Sequence, residues 1–475
     1  MAKKKFYITA AIPYVNAKPH IGHALEFTQT DAIARYHRIL DEDVIALSGG
    51  DENALKNVQA AEKAGVPIQK FVDYNTQSFY DLTKKLNCQF DIWQKGSDKV
   101  HHYKSSQDLW LRCQKDIYQK IYKGLYCVGC EAFYTLDELN ENGECFEHPG
   151  KKLEEVEEKN YFFKLSKYER ELLDLIKKDK LTIIPEKRRH EVLSFLERGL
   201  EDISISRSNE RAKNWGVPVP NDSNQRMYVW FDALNIYQSG IGYSWNMDKY
   251  NKYWPADVHV IGKGILRFHA IYWPAFLLSA KLNLPKKIFV HEYFTVNGQK
   301  MSKSLGNVID PFELIQKYGA DALRYYFLAK FSPFSDGDFS EDKFREIYNA
   351  DLANGLGNLI SRVAKMSEKF TFNTDKPYEK EISLPFGRFE IKYEFDKALN
   401  SIQEKIKEAD VFINNKEVWN LTGKQKGEAL KSLVESIRQI AYDLQPFLPE
   451  TAEKIRQQFE GPKIKSYKPL FPRIK

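Results

Sequence analysis

Residues 6–23, FYITAAIPYVNAKPHIGH, decide the fold. Positions 6–13 are rich in aromatic and β-branched residues and read as a buried strand, and 13–19, bounded by prolines, read as a turn. Apolar residues then recur at helical spacing from 21 to 40 (Ile21, Leu25, Ile33, Tyr36, Ile39, Leu40), and 43–47 reads as the next strand, running into Ser48-Gly49-Gly50-Asp51. Strand, helix, strand opens a parallel sheet, whose ligands sit at the carboxyl ends of the strands. Positions 20–23 and 49–53 fall at such ends. Lys3-Lys4-Lys5 before an apolar run superficially resembles an export signal. Pro13 breaks that run, however, and Asn16, Lys18 and His20 follow at once, so a buried strand is the better reading.

Outward from this stretch, 475 residues allow about two to four domains. Hydrophobic residues at 43% and charged residues at 29% exclude a collagen-like or wholly disordered chain. A net charge of +6 is compatible with nucleic-acid contact but too mild to establish it. Five cysteines are too few for a secreted disulfide framework, and no run approaches the ~18–20 apolar residues of a membrane span. A cytoplasmic location is expected. From about 116 to 221 the character changes to a cysteine cluster, an acidic run and several turns, which reads as an insertion into the sheet domain. Apolar segments at 227–237, 258–261 and 287–290 read as returning strands. Beyond 347 the pattern is nearly all helical, over 352–370, 395–413 and 427–459, with a loop at 376–386. The expected fold is α/β: a Rossmann-like parallel-sheet catalytic domain with a zinc-knuckle insertion, followed by an all-α helix bundle.

Three motifs carry chemistry. His20-Ile21-Gly22-His23 opens a helix, where free N–H groups and a partial positive charge suit phosphate. Two imidazoles there can donate to a developing negative charge, and Gly22 leaves room for a flat base. Taken alone, the motif also fits two helix-start histidines with a packing glycine. Lys300-Met301-Ser302-Lys303-Ser304 describes a mobile cationic loop that can close on a triphosphate and stabilise charge as pyrophosphate departs. Alone, such a loop is usually a solvated turn; the pair of motifs is highly specific. Finally, Cys127-Val128-Gly129-Cys130 and Cys145-Phe146-Glu147-His148 form two knuckles whose thiolates and imidazole favour a closed, structural tetrahedral Zn²⁺. The alternative is a set of reduced cysteines from which the ion has been lost. Cys88 and Cys113 lack such partners and read as core thiols.

With these residues in hand, the sequence resembles the class I aminoacyl-tRNA synthetases, which carry HIGH and KMSKS signatures, and within them the methionine-specific family. Residues 12–17 (IPYVNA), 228–233 (YVWFDA), Arg267-Phe268-His269, Trp273-Pro274-Ala275 and 336–340 (DGDFS) look like that family's blocks, and the likeness runs from about 6 to about 455. It implies a two-step reaction. Methionine's carboxylate attacks the α-phosphate of ATP to give methionyl-adenylate and pyrophosphate, and the terminal adenosine of tRNA(Met) then takes the methionyl group. His20 and His23 with Lys300 and Lys303 would be catalytic. Gly22, Lys263 and Ser302 would join them in binding ATP, which brings Mg²⁺. Ile12, Tyr14, Trp230, Ala233, Leu234, Tyr237, Ile265, His269 and Trp273 would line the methionine pocket, with Asp51 on the α-ammonium. Asn358, Arg362 and Trp419 would read the anticodon.

The implied division is 1–115 and 226–299 for the two catalytic halves, 116–225 for the zinc-binding insertion, 300–346 for the KMSKS loop and connecting region, and 347–475 for the anticodon-binding bundle. The chain departs from the family pattern at Gly264, where an acid is usual, at Asn53, where a histidine is usual, and at Asp410 and Val418 near the anticodon tryptophan. Ending at 475, it lacks the appended tRNA-binding domain with which some relatives dimerise, so a monomer is expected. The competing readings are another class I synthetase, for valine, leucine, isoleucine or cysteine, and a tRNA-binding paralogue that has lost catalysis. The short length and lack of a large editing domain argue against the branched-chain enzymes, and intact HIGH and KMSKS motifs argue against the inactive paralogue.

Overall fold

A computed structural model describes residues 3–128, 132–134, 136–147, 150–301, 306–372 and 392–474. By contact the chain forms two compact units: Met1–Pro19, Asp41–Thr83 and Gln89–His291 make the first; His20–Leu40, Lys84–Cys88 and Glu292–Lys475 make the second. Among the described residues no helix is long and apolar enough to cross a membrane.

The first unit is built on a six-stranded sheet, in the order Ile92–Lys95, Asp43–Gly50, Lys5–Ala10, Val258–Gly262, Lys287–His291, Thr182–Ile184. All five pairings are parallel. Lys5–Ala10 is central, pairing Thr9 with Leu47 on one side and with His259 on the other. The order therefore reverses beside the opening strand, the place where sheets of this kind bind ligands. Strands buried on both faces explain the near-continuous apolar run at 6–11. At Gly49 a Cβ would lie 1.9 Å from the Gln94 carbonyl oxygen of the neighbouring strand, so the close approach at this strand end requires glycine.

The structure revises two readings of the sequence. The stretch 227–237 does not return as a strand. After Asp222–Met227 come two short helices, Val229–Ala233 and Ile236–Ser239. Trp230, Ala233, Leu234 and Tyr237 follow an i, i+3, i+4, i+7 spacing, but the two polar residues of the stretch, Asp232 and Asn235, are buried too, so no exposed polar face marks the helices. Thr182–Ile184, inside the stretch read as an insertion, joins the edge of the main sheet. The remainder of that stretch includes a four-stranded antiparallel sheet whose long pair, Ile117–Cys127 and Glu154–Phe163, runs in register from Ile117 opposite Phe163 to Tyr126 opposite Glu154.

The second unit joins the Ile21–Ile39 helix to a largely helical C-terminal region. Helices Pro311–Tyr318 and Ala320–Lys330 lead to a π-helical turn over Tyr348–Gly357, and then to Asn358–Ser367, Phe395–Asn415, Gly423–Leu444 and Pro449–Phe459. The 427–459 stretch is two helices rather than one, since Pro446 and Pro449 cannot continue the first. Arg324 and Asp31, both wholly buried, pair at 2.8 Å, and Arg324 also donates to the carbonyls of Phe447 (2.7 Å) and Pro446 (3.1 Å). A buried guanidinium with this many acceptors ties the Ile21–Ile39 helix to the C-terminal helices.

Candidate active site

In the first unit, residues from four segments meet at the carboxyl end of the sheet. Asp51, 3% exposed, follows the Asp43–Gly50 strand; its backbone bridges to Tyr14, and its N–H donates to the Pro13 carbonyl at 2.9 Å. Trp230, on the Val229–Ala233 helix, stacks on Phe268 with centroids 3.7 Å apart and planes 5° apart, and it meets Tyr14 (6.1 Å) and His269 (6.2 Å) edge-on. Phe268 and His269 lie on a π-helical turn, Phe268–Tyr272, a widening common at functional sites. Ala233, Leu234 and Tyr237 are buried, and Ile12, Tyr14 and Ile265 pack partly buried against the same core. Trp273 is fully buried, edge-on to Trp254 at 6.1 Å.

Two polar side chains of this cluster satisfy each other. Tyr237 Oη donates to His269 Nε2 at 2.7 Å, and His269 Nδ1 donates to the Ile265 carbonyl at 2.9 Å. Burial presses the His269 imidazole down to about 4, so the ring stays neutral near pH 7 with its proton on Nδ1. What remains for a ligand is apolar and polarisable. A side chain with a charged tail would lose its hydration there without a matched partner, whereas a thioether loses little. Lys263 follows the Val258–Gly262 strand on a single 3₁₀ turn.

In the second unit, His20 caps the Ile21–Ile39 helix. Its Nδ1 accepts from the Gly22 N–H, and His23 Nδ1 accepts from the His20 N–H, both at 3.1 Å. This is a capping box made from two imidazoles in place of the usual hydroxyl and carboxylate. Accepting at Nδ1, each neutral ring carries its proton at Nε2 and is a donor at that atom. The ring centroids lie 3.9 Å apart, and a Cβ at Gly22 would come to 3.0 Å from the His20 ring, so a side chain there would press on the capping imidazole. Ile21 N–H donates to the Ile309 carbonyl at 3.2 Å.

Lys300 ends a short hairpin, Phe294–Val296 against Gln299–Lys300, turned at Asn297 and Gly298, both with positive φ. Asp338 holds this turn. It accepts from the Gly298 N–H and the Thr295 hydroxyl, both at 2.7 Å, and those bonds hold its carboxyl below the usual range. Ser302 and Lys303 lie outside the described residues.

On the Asn358–Ser367 helix Asn358 is exposed, and Arg362 donates to Asp410 Oδ1 and Asn414 Oδ1, each at 2.9 Å. Its guanidinium stands 5.9 Å from the ring of Trp419, which is 46% exposed. An indole this open, beside an oriented guanidinium, has the form of a stacking platform. Burial raises the Asp410 carboxyl even though Arg362 opposes the shift.

Of the knuckle residues, Cys127 and Cys145 are buried with their Sγ atoms 3.3 Å apart, while Cys130 and His148 lie outside the described residues. Two thiolates on one tetrahedral zinc are held about 3.7 Å apart by Zn–S bonds of ~2.3 Å, so this pair, slightly closer than that, is near enough to share such an ion. Among the described residues no three ligating side chains gather. Burial pushes the Cys88 and Cys113 thiols up to about 12, in keeping with inert core positions.

Reading the sequence alone missed Phe268, the face of the Trp230 stack, and Lys56, whose ammonium lies 2.9 Å from the centroid of the Tyr14 ring. Phe268 sits inside the Arg-Phe-His block, so its signal was present. Nothing local marks Lys56.

Residues 6–364 match the family model for tRNA synthetases class I (M). The methionine–tRNA ligase of Brucella suis is 41% identical, covering 96% of this chain and 92% of the relative, and that of Thermotoga maritima is 41% identical over 96% of this chain and 76% of the relative. The structure of Mycobacterium tuberculosis methionyl-tRNA synthetase in complex with methionyl-adenylate superposes with a TM-score of 0.89 at 35% identity, covering 99% of this chain and 100% of that one. The capped HIGH helix, the aromatic cluster behind Asp51 and these likenesses agree: the chain belongs to the class I tRNA synthetases, in the methionine–tRNA ligase family.

Proposed function

We propose that the chain activates methionine with ATP, releasing pyrophosphate, and transfers the methionyl group to the 3′-terminal adenosine of tRNA(Met). The observation that carries this reading is the uncharged aromatic cluster of Trp230, Phe268, Tyr14, Tyr237 and His269, with Tyr237 bonded to His269, behind the buried carboxylate of Asp51. Asp51 takes the α-ammonium and the cluster takes the thioether, with Ile12, Ala233, Leu234, Ile265 and Trp273 completing the walls. Neither step needs a covalent enzyme nucleophile: the substrate carboxylate is the nucleophile, and catalysis is alignment plus electrostatic stabilisation of the α-phosphate. His20 and His23 donate from Nε2 to ATP oxygens, and Gly22 admits the adenine. Lys300 and Lys303, with Ser302 and Lys263, hold the phosphates as charge moves to pyrophosphate. Mg²⁺ accompanies the nucleotide. Incubation with ATP, methionine and tRNA(Met) should give methionyl-tRNA; no acylated product with any amino acid would overturn the assignment.

The domain roles follow the divisions expected from the sequence, with Thr182–Ile184 counted with the catalytic sheet it joins, and the protein is a cytoplasmic monomer. Cys127 and Cys145 with Cys130 and His148 hold one structural zinc. Arg267, next to Phe268, is joined to Glu138 at 2.8 Å, and Leu139 bridges to Cys145, so the ion steadies a segment leading back to the methionine site. Cys145→Ser is expected to remove the zinc and open the insertion to proteolysis before adenylation itself fails. Elemental analysis of unstripped active protein with no zinc would contradict this.

Asn358, Arg362 and Trp419 read the anticodon. Trp419→Ala should leave amino-acid activation nearly intact while costing tRNA kcat/KM about 1–3 kcal/mol, the loss of one stacked base. That penalty should largely vanish with a tRNA of altered anticodon. Activation and aminoacylation falling together would return Trp419 to a structural role.

A further inference from the structure

Asp232 lies on the Val229–Ala233 helix between Trp230 and Ala233, and its carboxylate, 2% exposed, enters a buried node. Oδ2 accepts from Asn53 Nδ2 at 2.6 Å, and Oδ1 accepts from His102 Nε2 at 2.5 Å and from the Ser106 hydroxyl at 3.3 Å. Asn53 also donates to the Gly96 carbonyl at 2.8 Å and accepts from the Tyr103 hydroxyl at 3.3 Å. The other ring nitrogen of His102 meets Ser239 Oγ at 2.8 Å, on the short helix that carries Tyr237. Between Asp51 and Asn53, Glu52 is pinned in the same way, accepting from Ser97 N–H (2.9 Å), Ser97 Oγ (2.6 Å) and Thr76 Oγ1 (2.5 Å). The segment holding the ammonium anchor and the two helices holding the side-chain walls therefore share one hydrogen-bonded node. A buried carboxylate is a poor source of stability compared with apolar packing, but a fully partnered network fixes one geometry.

We propose that the Asn53–Asp232 hydrogen bond, backed by His102, is a ruler for the amino acid: it fixes the separation between Asp51 and the walls at Trp230 and Tyr237, and so sets the length of side chain accepted. Asn53 and Asp232 are positioning residues in this role, which rests on the methionine reading above. The need for such a device is physical. An apolar pocket discriminates by only about 10–200-fold for one methylene, and less if its walls can move apart.

The test is ATP–pyrophosphate exchange by the full chain with methionine and with ethionine, which is one methylene longer beyond the sulfur. Asn53→Ser removes the reach to Asp232. It is expected to raise the KM for methionine and to cut the methionine-over-ethionine ratio of kcat/KM by about tenfold, the scale of one methylene's discrimination. A network that only supports the fold would lower the thermal midpoint and leave the ratio alone, so an unchanged ratio overturns the proposal. If Asn53→Ser does not fold, Tyr103→Phe decides by the same criterion, because it removes only the hydroxyl at Asn53 Oδ1. Its ratio should fall in the same direction, and no fall overturns the ruler. Wild-type exchange driven by another amino acid would overturn the methionine reading, and the ruler with it. Methionine-specific exchange with unmoved ratios would overturn the ruler alone.

Discussion

His20→Asn is expected to slow adenylate formation by about 10²–10³-fold, the effect of removing one preorganised donor from a developing charge, while methionine affinity and thermal stability stay close to those of the parent. Asparagine is chosen because it is among the best N-cap residues, so its side-chain oxygen can replace Nδ1 as acceptor for the helix N–H groups. What it cannot replace is the donor at Nε2, on the far side of the ring. The variant thus separates the two jobs that His20 combines. Stopped-flow or single-turnover measurement of pyrophosphate release, beside equilibrium methionine binding, reads both. A normal rate would reduce His20 to a capping residue; a fallen thermal midpoint with a proportionate loss of methionine binding would do the same.

Asp51→Asn is expected to act on the other substrate. The side chain keeps its size and position next to Tyr14, and the backbone bond from Asp51 N–H to the Pro13 carbonyl is untouched. Only the charge is lost. Removing one partner of a desolvated charge pair costs about 2–5 kcal/mol, so KM for methionine should rise by roughly 30-fold or more with KM for ATP little changed. A rise in ATP KM of equal size, or a methionine KM within about twofold of the parent, a change smaller than ~0.5 kcal/mol, would remove Asp51 from the ammonium site.

How much of this was legible in the sequence follows from distance along the chain. His20 to His23 spans one helical turn, and the paired residues that cap it are neighbours in sequence, so a motif captures them whole. Asp51 was legible for the same reason, at the end of a strand marked by Ser48-Gly49-Gly50. The walls proposed for methionine came from blocks, and the structure gathers several of those residues around Trp230. The node at Asp232 was not legible: Asn53 and Asp232 each stood in a marked stretch, but the bonds from Asp232 to Asn53 and His102 join positions 179 and 130 residues apart, and nothing in the sequence pairs them. The misread strand at 227–237 had a different cause. Nine of its eleven residues are apolar or aromatic, with only Asp232 and Asn235 polar, so composition suggests a buried strand although the apolar positions also keep the helical period. Trp419 reads as core from its type alone; its exposure of 46% beside Arg362 is a property that only the fold supplies.

The most direct test of the whole reading is ATP–pyrophosphate exchange with the purified chain, run separately with each of the twenty amino acids and without tRNA. Exchange should be driven by methionine far above every other amino acid, since an unbranched thioether suits an apolar aromatic cluster in which Tyr237 and His269 already partner each other. Exchange strongest with any other amino acid, or none at all from folded protein, would contradict it.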